Sequence, residues 1–432
     1  MTTVARPARV VAAARLRGRL ELPADKSIGH RALIVAGLSE GPATISMRSP
    51  GRDVRSTVSC LRALGVTIAE ERDGEVVDYR LSGGLTRDAR LDCGNSGTTM
   101  RLLAGTVAAL PLRVALDGDA SLRRRPMERL ATILRAMGAH MTTTDGHAPL
   151  LIEGRPPLRA VTHRLPVASA QLIGAGSLAA LAAAGTTRIE APGATRDHTE
   201  RLLGYAGVPI RRSGTITTLN GPARPGPVSF AVPGDLSAAA AWLVAAALHP
   251  DAELTLVGVG LNPSRLGLVS LLRRMGADIV ATESTSAGPE PVGEITVRGG
   301  TPLRAVRVSP AEADDLIDEL PLLAIAMAAC DEESELRGAG ELRLKESDRI
   351  AAVAAGLHAI GAEVTELRDG WRVRRGKPRG ATIATHGDHR IAIAFAVAAL
   401  AGISGDVMLD DPECTAVSYP GFWNDLAATA VT

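Results

Sequence analysis

The sequence predicts an α/β chain in two domains, assembled from six similar helix-and-strand units. Three observations lead there: a length of 432 residues, six apolar helix candidates at a common spacing, and a second, amphipathic series interleaved with them. A chain this long exceeds what one hydrophobic core serves, so two domains are the starting expectation. Hydrophobic residues make up 46% of it, enough to fill compact cores.

The first twenty residues, "MTTVARPARVVAAARLRGRL", are basic and Ala-rich. They lack an apolar stretch and a clear cleavage site, so they read as a first strand rather than a transit segment. The first helix candidate follows as "DKSIGHRALIVAGL", with Ser27 placed to cap it. Five more follow: "GNSGTTMRLLAGTVAAL", "SAQLIGAGSLAALAAAG", "GDLSAAAAWLVAAAL", "DELPLLAIAMAAC" and "GDHRIAIAFAVAAL". Their markers Ser27, Ser96, Ser169, Ser237, Asp318 and Asp388 stand 69, 73, 68, 81 and 70 residues apart. Strand-like runs such as "ATISM", "LRVALDG", "TTRIEA" and "ELTLVGV" come after several of them.

The second series reads "LRALGVTI", "LRAMGAHM", "LLGYAGVPI", "LRRMGADIV" and "LHAIGAEV", each an amphipathic helix ending near glycine and then a strand. Gly65, Gly138, Gly207, Gly276 and Gly361 are 73, 69, 69 and 85 residues apart, and "YPGFWNDLAATAV" supplies a sixth copy at the C-terminal end. A shared period of about 70 residues over the whole chain marks a repeat architecture.

One helix per unit is apolar nearly all round and must be buried. If equivalent buried helices run parallel, their N-termini gather at one end of each domain. Each such end carries unsatisfied N–H groups and a partial charge of roughly +0.5, and several together make an anion site.

Bulk properties narrow the partners. A formal net charge of +1 argues against nucleic acid or an anionic membrane, and 2% aromatic residues leave few stacking platforms for bases. Cys60, Cys93, Cys330 and Cys414 are scattered without a C-x-x-C pair, which fits a reducing cytoplasm and offers no metal site. The longest apolar stretches, such as "IAIAFAVAALA", reach about half the roughly 20 residues of a membrane span.

The polar mouths carry the chemistry. Asn95, Ser96 and Gly97 form a small turn open to close backbone approach, though simple capping explains it as well. Arg123, Arg124 and Arg125 precede Pro126, where an arginine can clamp a carboxylate or phosphate bidentately. In "LRLKESDRI", Lys345 and Arg349 stand at i, i+4 beside Glu346, a pattern that an ordinary salt-bridged helix face would also give. His389 and Arg390 open another buried helix, and Asp318 in "IDELP" is a carboxylate at a helix start, suited to act as a base.

The ordered set DKSxxxR, GNSGTTMR, RRRP, SAQ, RDHTERLL, IDELP, LRLKESDR and GDHR resembles the EPSP synthase (3-phosphoshikimate 1-carboxyvinyltransferase) family, from residue 23 to about 420. The resemblance implies two domains, each of three βαβαββ units about a pseudo-threefold axis, with the substrates in a cleft between domains that closes on binding. It places the first domain at 1–22 plus 235–432 and the second at 23–234.

The activity implied is transfer of the enolpyruvyl group of phosphoenolpyruvate to the 5-hydroxyl of shikimate 3-phosphate, releasing phosphate. Carried over by motif, Lys26, Ser27, Arg31, Ser169, Gln171 and Arg196 would hold shikimate 3-phosphate, with Asp318 and Lys345 reaching it. Lys26, Asn95, Gly97, Arg125, Gln171, Arg349 and Arg390 would hold phosphoenolpyruvate. Asp318 would be the base for the hydroxyl, Glu346 the acid at the enolpyruvyl methylene, and Lys345 the cation steadying the intermediate. No metal or organic cofactor is expected, nor a nucleic-acid or membrane partner; a cytoplasmic monomer is. Glyphosate would compete with phosphoenolpyruvate, with Gly97 leaving it room.

Three positions depart from many relatives: Gly29 where a serine is common, Val417 where some carry a lysine, and Glu341 where some carry a neutral amide. The nearest alternative is a UDP-N-acetylglucosamine enolpyruvyl transferase, which shares the six-unit fold. That family is usually marked by a cysteine in the loop that here reads "DGDASLRRRPM". A non-catalytic anion-binding paralogue is the alternative of another class, opposed by the presence of Asp318, Lys345 and Glu346 together.

Overall fold

The computed structural model describes residues 7–284 and 288–431, so the first six residues of the N-terminal stretch lie outside the described residues. The chain divides into two compact units. One comprises Met1–Pro23, Pro233–Thr285 and Pro291–Thr432; the other comprises Ala24–Val232 with Ser286–Glu290.

The Ala24–Val232 unit contains three sheets of one connectivity. Ala43–Arg48 lies between Ser229–Ala231, parallel to it, and Val76–Ser82, antiparallel, which in turn pairs with Thr67–Asp73. Arg113–Asp117 repeats this between Ala89–Asp92 and the hairpin His140–Thr144/His147–Glu153. Ala183–Glu190 does so between the short strands Leu158–Arg159 and Thr162–Arg164 and the hairpin Ile210–Ser213/Ile216–Gly221.

The other unit has the same pattern around Ala252–Gly260, flanked by Arg15–Glu21 in parallel and by the hairpin Asp278–Ser284/Val292–Arg298. It recurs around Ser334–Leu336 and, with one strand fewer, around Val407–Leu409. Parallel neighbours need a crossover; a buried helix supplies it directly for Ala89–Asp92, for Leu158–Arg159 with Thr162–Arg164, for Arg307–Val308 and for Ala381–Ile383, whereas Arg15–Glu21 and Ser229–Ala231 lie far along the chain from their parallel neighbours.

The buried helices are Lys26–Leu38, Gly97–Ala108 and Ala170–Ala180 in one unit, and Leu236–Leu248, Leu320–Ala328 and His389–Leu400 in the other. Alanine and glycine let them approach closely. A Cβ on Gly105 would stand 2.1 Å from the carbonyl oxygen of Ala175, so only glycine fits that crossing. The amphipathic helices Arg52–Ala63, Glu128–Ala136, His198–Tyr205, Gly267–Met275, Arg349–Ala359 and Phe422–Thr429 cover the outer faces. Gly65, Gly138, Gly207, Gly276 and Gly361 have φ of 112°, 98°, 80°, 104° and 93°, the left-handed conformation that stops a helix.

Two local expectations are corrected. Ser27 is not the cap of its helix: Asp25 is, accepting from Ile28 N at 2.9 Å, and Asp235 likewise caps Leu236–Leu248. A carboxylate satisfies the orphan N–H groups and leaves the serine one residue inside, free for other work. The segment LRLKESDR is not a helix face either. A 3-10 turn at Gly340–Leu344 ends at an extended Lys345, and helix resumes only at Arg349, capped by Asp348. Among the described residues, no helix is long and apolar enough to cross a membrane.

Candidate functional site

In the Ala24–Val232 unit the starts of the three buried helices meet through side chains. Arg31, one turn into Lys26–Leu38, donates from Nη1 to Ser27 O at 2.8 Å, from Nε to Thr199 Oγ1 at 2.7 Å and from Nη2 to Ala170 O at 3.3 Å. It is 4% exposed, and burial brings its pKa down to about 10 against the opposing pull of Glu200 and Asp25. Lys26 Nζ lies 3.1 Å from Asp53 Oδ2. Ser169 caps Ala170–Ala180 by accepting from Leu172 N.

Gln171, half-buried at the mouth of that helix, bridges to the next. Its Nε2 donates to Thr98 Oγ1 at 2.9 Å and its Oε1 accepts from Arg101 Nη1 at 2.7 Å. Ser96 caps Gly97–Ala108, so Asn95 and Gly97 bracket that cap. Asn95 is oriented from both sides, donating to Asp119 Oδ2 at 2.7 Å and accepting from Arg125 Nη2 at 2.6 Å. Arg125 is 8% exposed, and a Cβ on Gly97 would stand 3.1 Å from its Nη1 and 2.7 Å from Arg101 Nη1. Arg196 is half-buried, two residues before His198 opens the helix His198–Tyr205. Lys26, Ser27, Arg31, Asn95, Gly97, Arg125, Ser169 and Gln171 thus all lie at or beside these three helix mouths.

The second unit gathers its own cluster. Arg349 is clamped by carboxylates: Nε to Asp388 Oδ2 at 2.8 Å, Nη2 to Asp388 Oδ1 at 3.1 Å and to Glu346 Oε2 at 2.7 Å. Its Nη1 lies 3.7 Å from Asp318 Oδ1, and Lys345 Nζ approaches the same oxygen at 3.9 Å. Burial disfavours the Arg349 charge, but Asp388, Glu346 and Asp318 outweigh it and hold the guanidinium firmly protonated. Asp388 is held below the ordinary carboxylate range: burial pushes it up, and Arg349 more than offsets that.

Arg390, in the first turn of His389–Leu400, reaches Ser237 O at 3.4 Å. The Ser237 hydroxyl donates to Glu319 and accepts from Arg265 Nη2 at 2.6 Å. The starts of Leu236–Leu248, Leu320–Ala328 and His389–Leu400 are therefore joined as those of the other unit are. Asp318, Lys345 and Glu346 are half-buried, whereas Arg349 is enclosed.

Sequence reasoning passed over several partners. Asp53, Thr98, Arg101, Asp119 and Thr199 fix the expected ligands in one unit, and Arg265, Glu319 and Asp388 do so in the other. Arg101 had a signal, since it closes the GNSGTTMR motif one turn after Gly97. Of the departures, Gly29 sits where a Cβ would touch Met47 Sδ at 3.2 Å, a flexible neighbour able to yield. Val417 ends the 3-10 turn Pro412–Val417, and Glu341 lies in the turn before Lys345.

Comparisons with known proteins agree over the full length. The 3-phosphoshikimate 1-carboxyvinyltransferase of Chloroflexus aurantiacus is 45% identical over 422 residues, covering 96% of each chain. That of Acidithiobacillus ferrooxidans is 45% identical over 413 residues, 94% of each. Among solved structures, EPSP synthase from Acinetobacter baumannii superposes with a TM-score of 0.85 at 34% identity, covering 99% of both chains. The enolpyruvyl transferase NikO from Streptomyces tendae shares the fold, with a TM-score of 0.77 at 20% identity over 98% of this chain and 97% of its own. The model of the EPSP synthase (3-phosphoshikimate 1-carboxyvinyltransferase) family matches residues 10–426, and the chain belongs to that family.

Proposed function

We propose that this chain transfers the enolpyruvyl group of phosphoenolpyruvate to the 5-hydroxyl of shikimate 3-phosphate, with the two polar clusters dividing the work. The observation that carries the reading is the convergence of three helix mouths with Lys26, Arg31, Arg101 and Arg125 in one unit. Two highly anionic substrates repel each other, and cations fixed at helix N-termini offset that repulsion.

In this reading, Lys26, Ser27, Arg31, Ser169, Gln171 and Arg196 hold shikimate 3-phosphate. Asn95, Gly97 and Arg125, with Lys26 and Gln171 shared, hold phosphoenolpyruvate together with Arg390. Arg349 joins them in holding phosphoenolpyruvate, oriented by its carboxylate partners Asp388 and Glu346. Asp318 takes the proton of the 5-hydroxyl as its oxygen attacks C2 of phosphoenolpyruvate, and Glu346 protonates C3. Lys345 steadies the tetrahedral adduct. Loss of a proton from the new methyl group then expels phosphate and restores the enol ether. The two compact units serve as the two domains, and the enzyme works as a cytoplasmic monomer.

The test is direct. Purified protein given phosphoenolpyruvate and shikimate 3-phosphate should release one phosphate per 5-enolpyruvylshikimate 3-phosphate formed. UDP-N-acetylglucosamine in place of the shikimate ester should release none; phosphate release with the nucleotide sugar alone overturns the reading.

A further inference from the structure

A chain of buried hydrogen bonds joins two helix mouths in the Ala24–Val232 unit. His30 Nδ1 lies 2.7 Å from Thr57 Oγ1, Thr57 Oγ1 lies 2.7 Å from Thr99 Oγ1, and Thr99 Oγ1 donates to Ser96 Oγ at 2.7 Å. All four side chains are wholly buried. They come from three elements: the helix Lys26–Leu38, the helix Arg52–Ala63, and the capped start of Gly97–Ala108.

Counting protons fixes the direction. A threonine hydroxyl has one proton to give. Thr99 gives its proton to Ser96, so at the next contact Thr57 is the donor and Thr99 the acceptor. Thr57 has then spent its only proton, so His30 must donate from Nδ1. The imidazole is therefore the Nδ1–H tautomer with a bare Nε2, and Nε2 is buried with no hydrogen-bond partner among the described residues. A bare lone pair in an apolar setting is the cheaper of the two ways to leave a ring nitrogen unpaired. Burial, then Lys26 and Arg31 nearby, also push the His30 pKa well below its ordinary value, which keeps the ring neutral.

We propose that His30, Thr57 and Thr99 are positioning residues, a one-way hydrogen-bond chain that fixes the Ser96 cap and with it the Asn95–Gly97 turn that receives phosphoenolpyruvate. Ser96 Oγ accepts twice, from Thr99 Oγ1 and from Thr99 N at 3.1 Å. Its rotamer is thus set from behind. The flanking Asn95 and Gly97 are the residues whose placement against Arg125 and Arg101 decides how an anion is met. His30 lies on the first helix between Ser27 and Arg31, so the chain ties the turn to the helix that carries the shikimate 3-phosphate ligands. The inference rests on the activity reading above only for the identity of the anion.

The test compares Thr57→Val, which keeps the shape and removes the hydroxyl, with Thr57→Ser, which restores it. Two readouts are taken: Michaelis constants for each substrate, and amide hydrogen exchange in a peptide spanning residues 93–101. Thr57→Val should raise the KM for phosphoenolpyruvate about fivefold or more, change that for shikimate 3-phosphate less than about twofold, and speed exchange in the peptide. Thr57→Ser should return both readouts close to wild type. If Thr57→Val does not accumulate as folded protein, Thr99→Ala breaks the chain at its other end and is read in the same way. Unchanged exchange and unchanged KM in a folded variant overturn the proposal. Equal losses for both substrates that Thr57→Ser fails to repair also overturn it, since they mark general destabilisation. Failure of the wild-type protein to convert the substrate pair sinks the activity reading alone, and the exchange comparison then decides the chain's role by itself.

Discussion

Arg349 and Asp388 form an enclosed ion pair, with Arg349 Nε 2.8 Å from Asp388 Oδ2 and side-chain exposures of 2% and 0%. Ser347 Oγ donates to the same Asp388 oxygen at 2.9 Å, and Asp388 also caps His389–Leu400 through Arg390 N. One carboxylate therefore sets the cation behind Glu346 and Asp318, and the mouth of the helix carrying Arg390.

Removing that charge leaves Arg349 buried beside weaker partners. Asp388→Asn is expected to lose about 3–5 kcal/mol of stability, the scale for breaking a buried pair. The pH dependence follows from the depressed Asp388 pKa. The unfolded chain protonates this group near pH 3.9 and the folded chain only at lower pH. Its contribution is thus complete above that range and is lost as pH falls below it. Urea titrations at neutral and acid pH should show wild type and Asp388→Asn far apart at pH 7 and converging below about pH 4. A variant as stable as wild type at pH 7 would show that the pair contributes nothing net.

Much of this arrangement was legible from spacing. The buried helices and the glycines that stop five of the amphipathic ones recur because each unit must solve the same packing problem, and a repeated solution leaves a period. The mouths were legible as helix starts, since a polar residue heading an apolar run is an ordinary cap. Pairings across distant segments were not. Nothing local in "GRDV" marks Asp53 as the partner of Lys26, and nothing in "GDHR" shows that Asp388 rather than solvent would meet Arg349. The misreadings have the same origin. Helix propensity alone cannot tell which of Asp25 and Ser27 caps, or that KESD stays outside the helix because Asp348, not an earlier residue, satisfies the helix start.

Asp318 and Glu346 share Arg349 as a neighbour, at 3.7 Å and 2.7 Å. Asp318→Asn and Glu346→Gln keep size and hydrogen-bonding capacity while removing the exchangeable proton site. Each is expected to fold, to bind shikimate 3-phosphate, and to lose turnover by about 10²-fold or more, the scale of general acid–base catalysis. Calorimetric binding and steady-state turnover measured on the same preparations separate the two effects. Turnover within a few-fold of wild type would remove that residue from the proton transfers.

His30 supplies a second pH signature. Burial lowers its pKa well below 6.5, so the unfolded chain takes up a proton that the folded chain refuses. The unfolded state then binds more protons below about pH 6.5, and stability falls as pH drops from there, by about 1.4 kcal/mol per pH unit until the folded ring titrates. His30→Asn removes the titration. The stability difference between wild type and variant should therefore be flat above pH 7 and shrink steadily from pH 6.5 to pH 5. Parallel profiles over that range would mean that His30 protonates equally in both states.

Gly97 controls how closely two guanidinium groups crowd the turn. Its φ is not in the left-handed region, so the backbone admits alanine, but the new methyl would stand 2.7 Å from Arg101 Nη1 and 3.1 Å from Arg125 Nη1. Both are the far ends of flexible side chains, so the expected response is displacement of the guanidinium groups rather than loss of the helix. Displacing them disturbs the bonds they now make, among them Arg101 to Gln171 Oε1 and Arg125 to Asn95 Oδ1. Overpacking a tight site typically costs about 1–3 kcal/mol, enough for a several-fold change in affinity. Phosphoenolpyruvate, the shorter anion, keeps part of the space and should show a modest rise in KM. Glyphosate, longer and in need of the volume that the methyl takes, should lose more. Inhibition measured at several phosphoenolpyruvate concentrations should be competitive for wild type, with a larger rise in the inhibition constant than in KM for Gly97→Ala. Equal weakening of both ligands would assign the effect to the arginines alone, and no weakening of either would place Gly97 outside the binding surface.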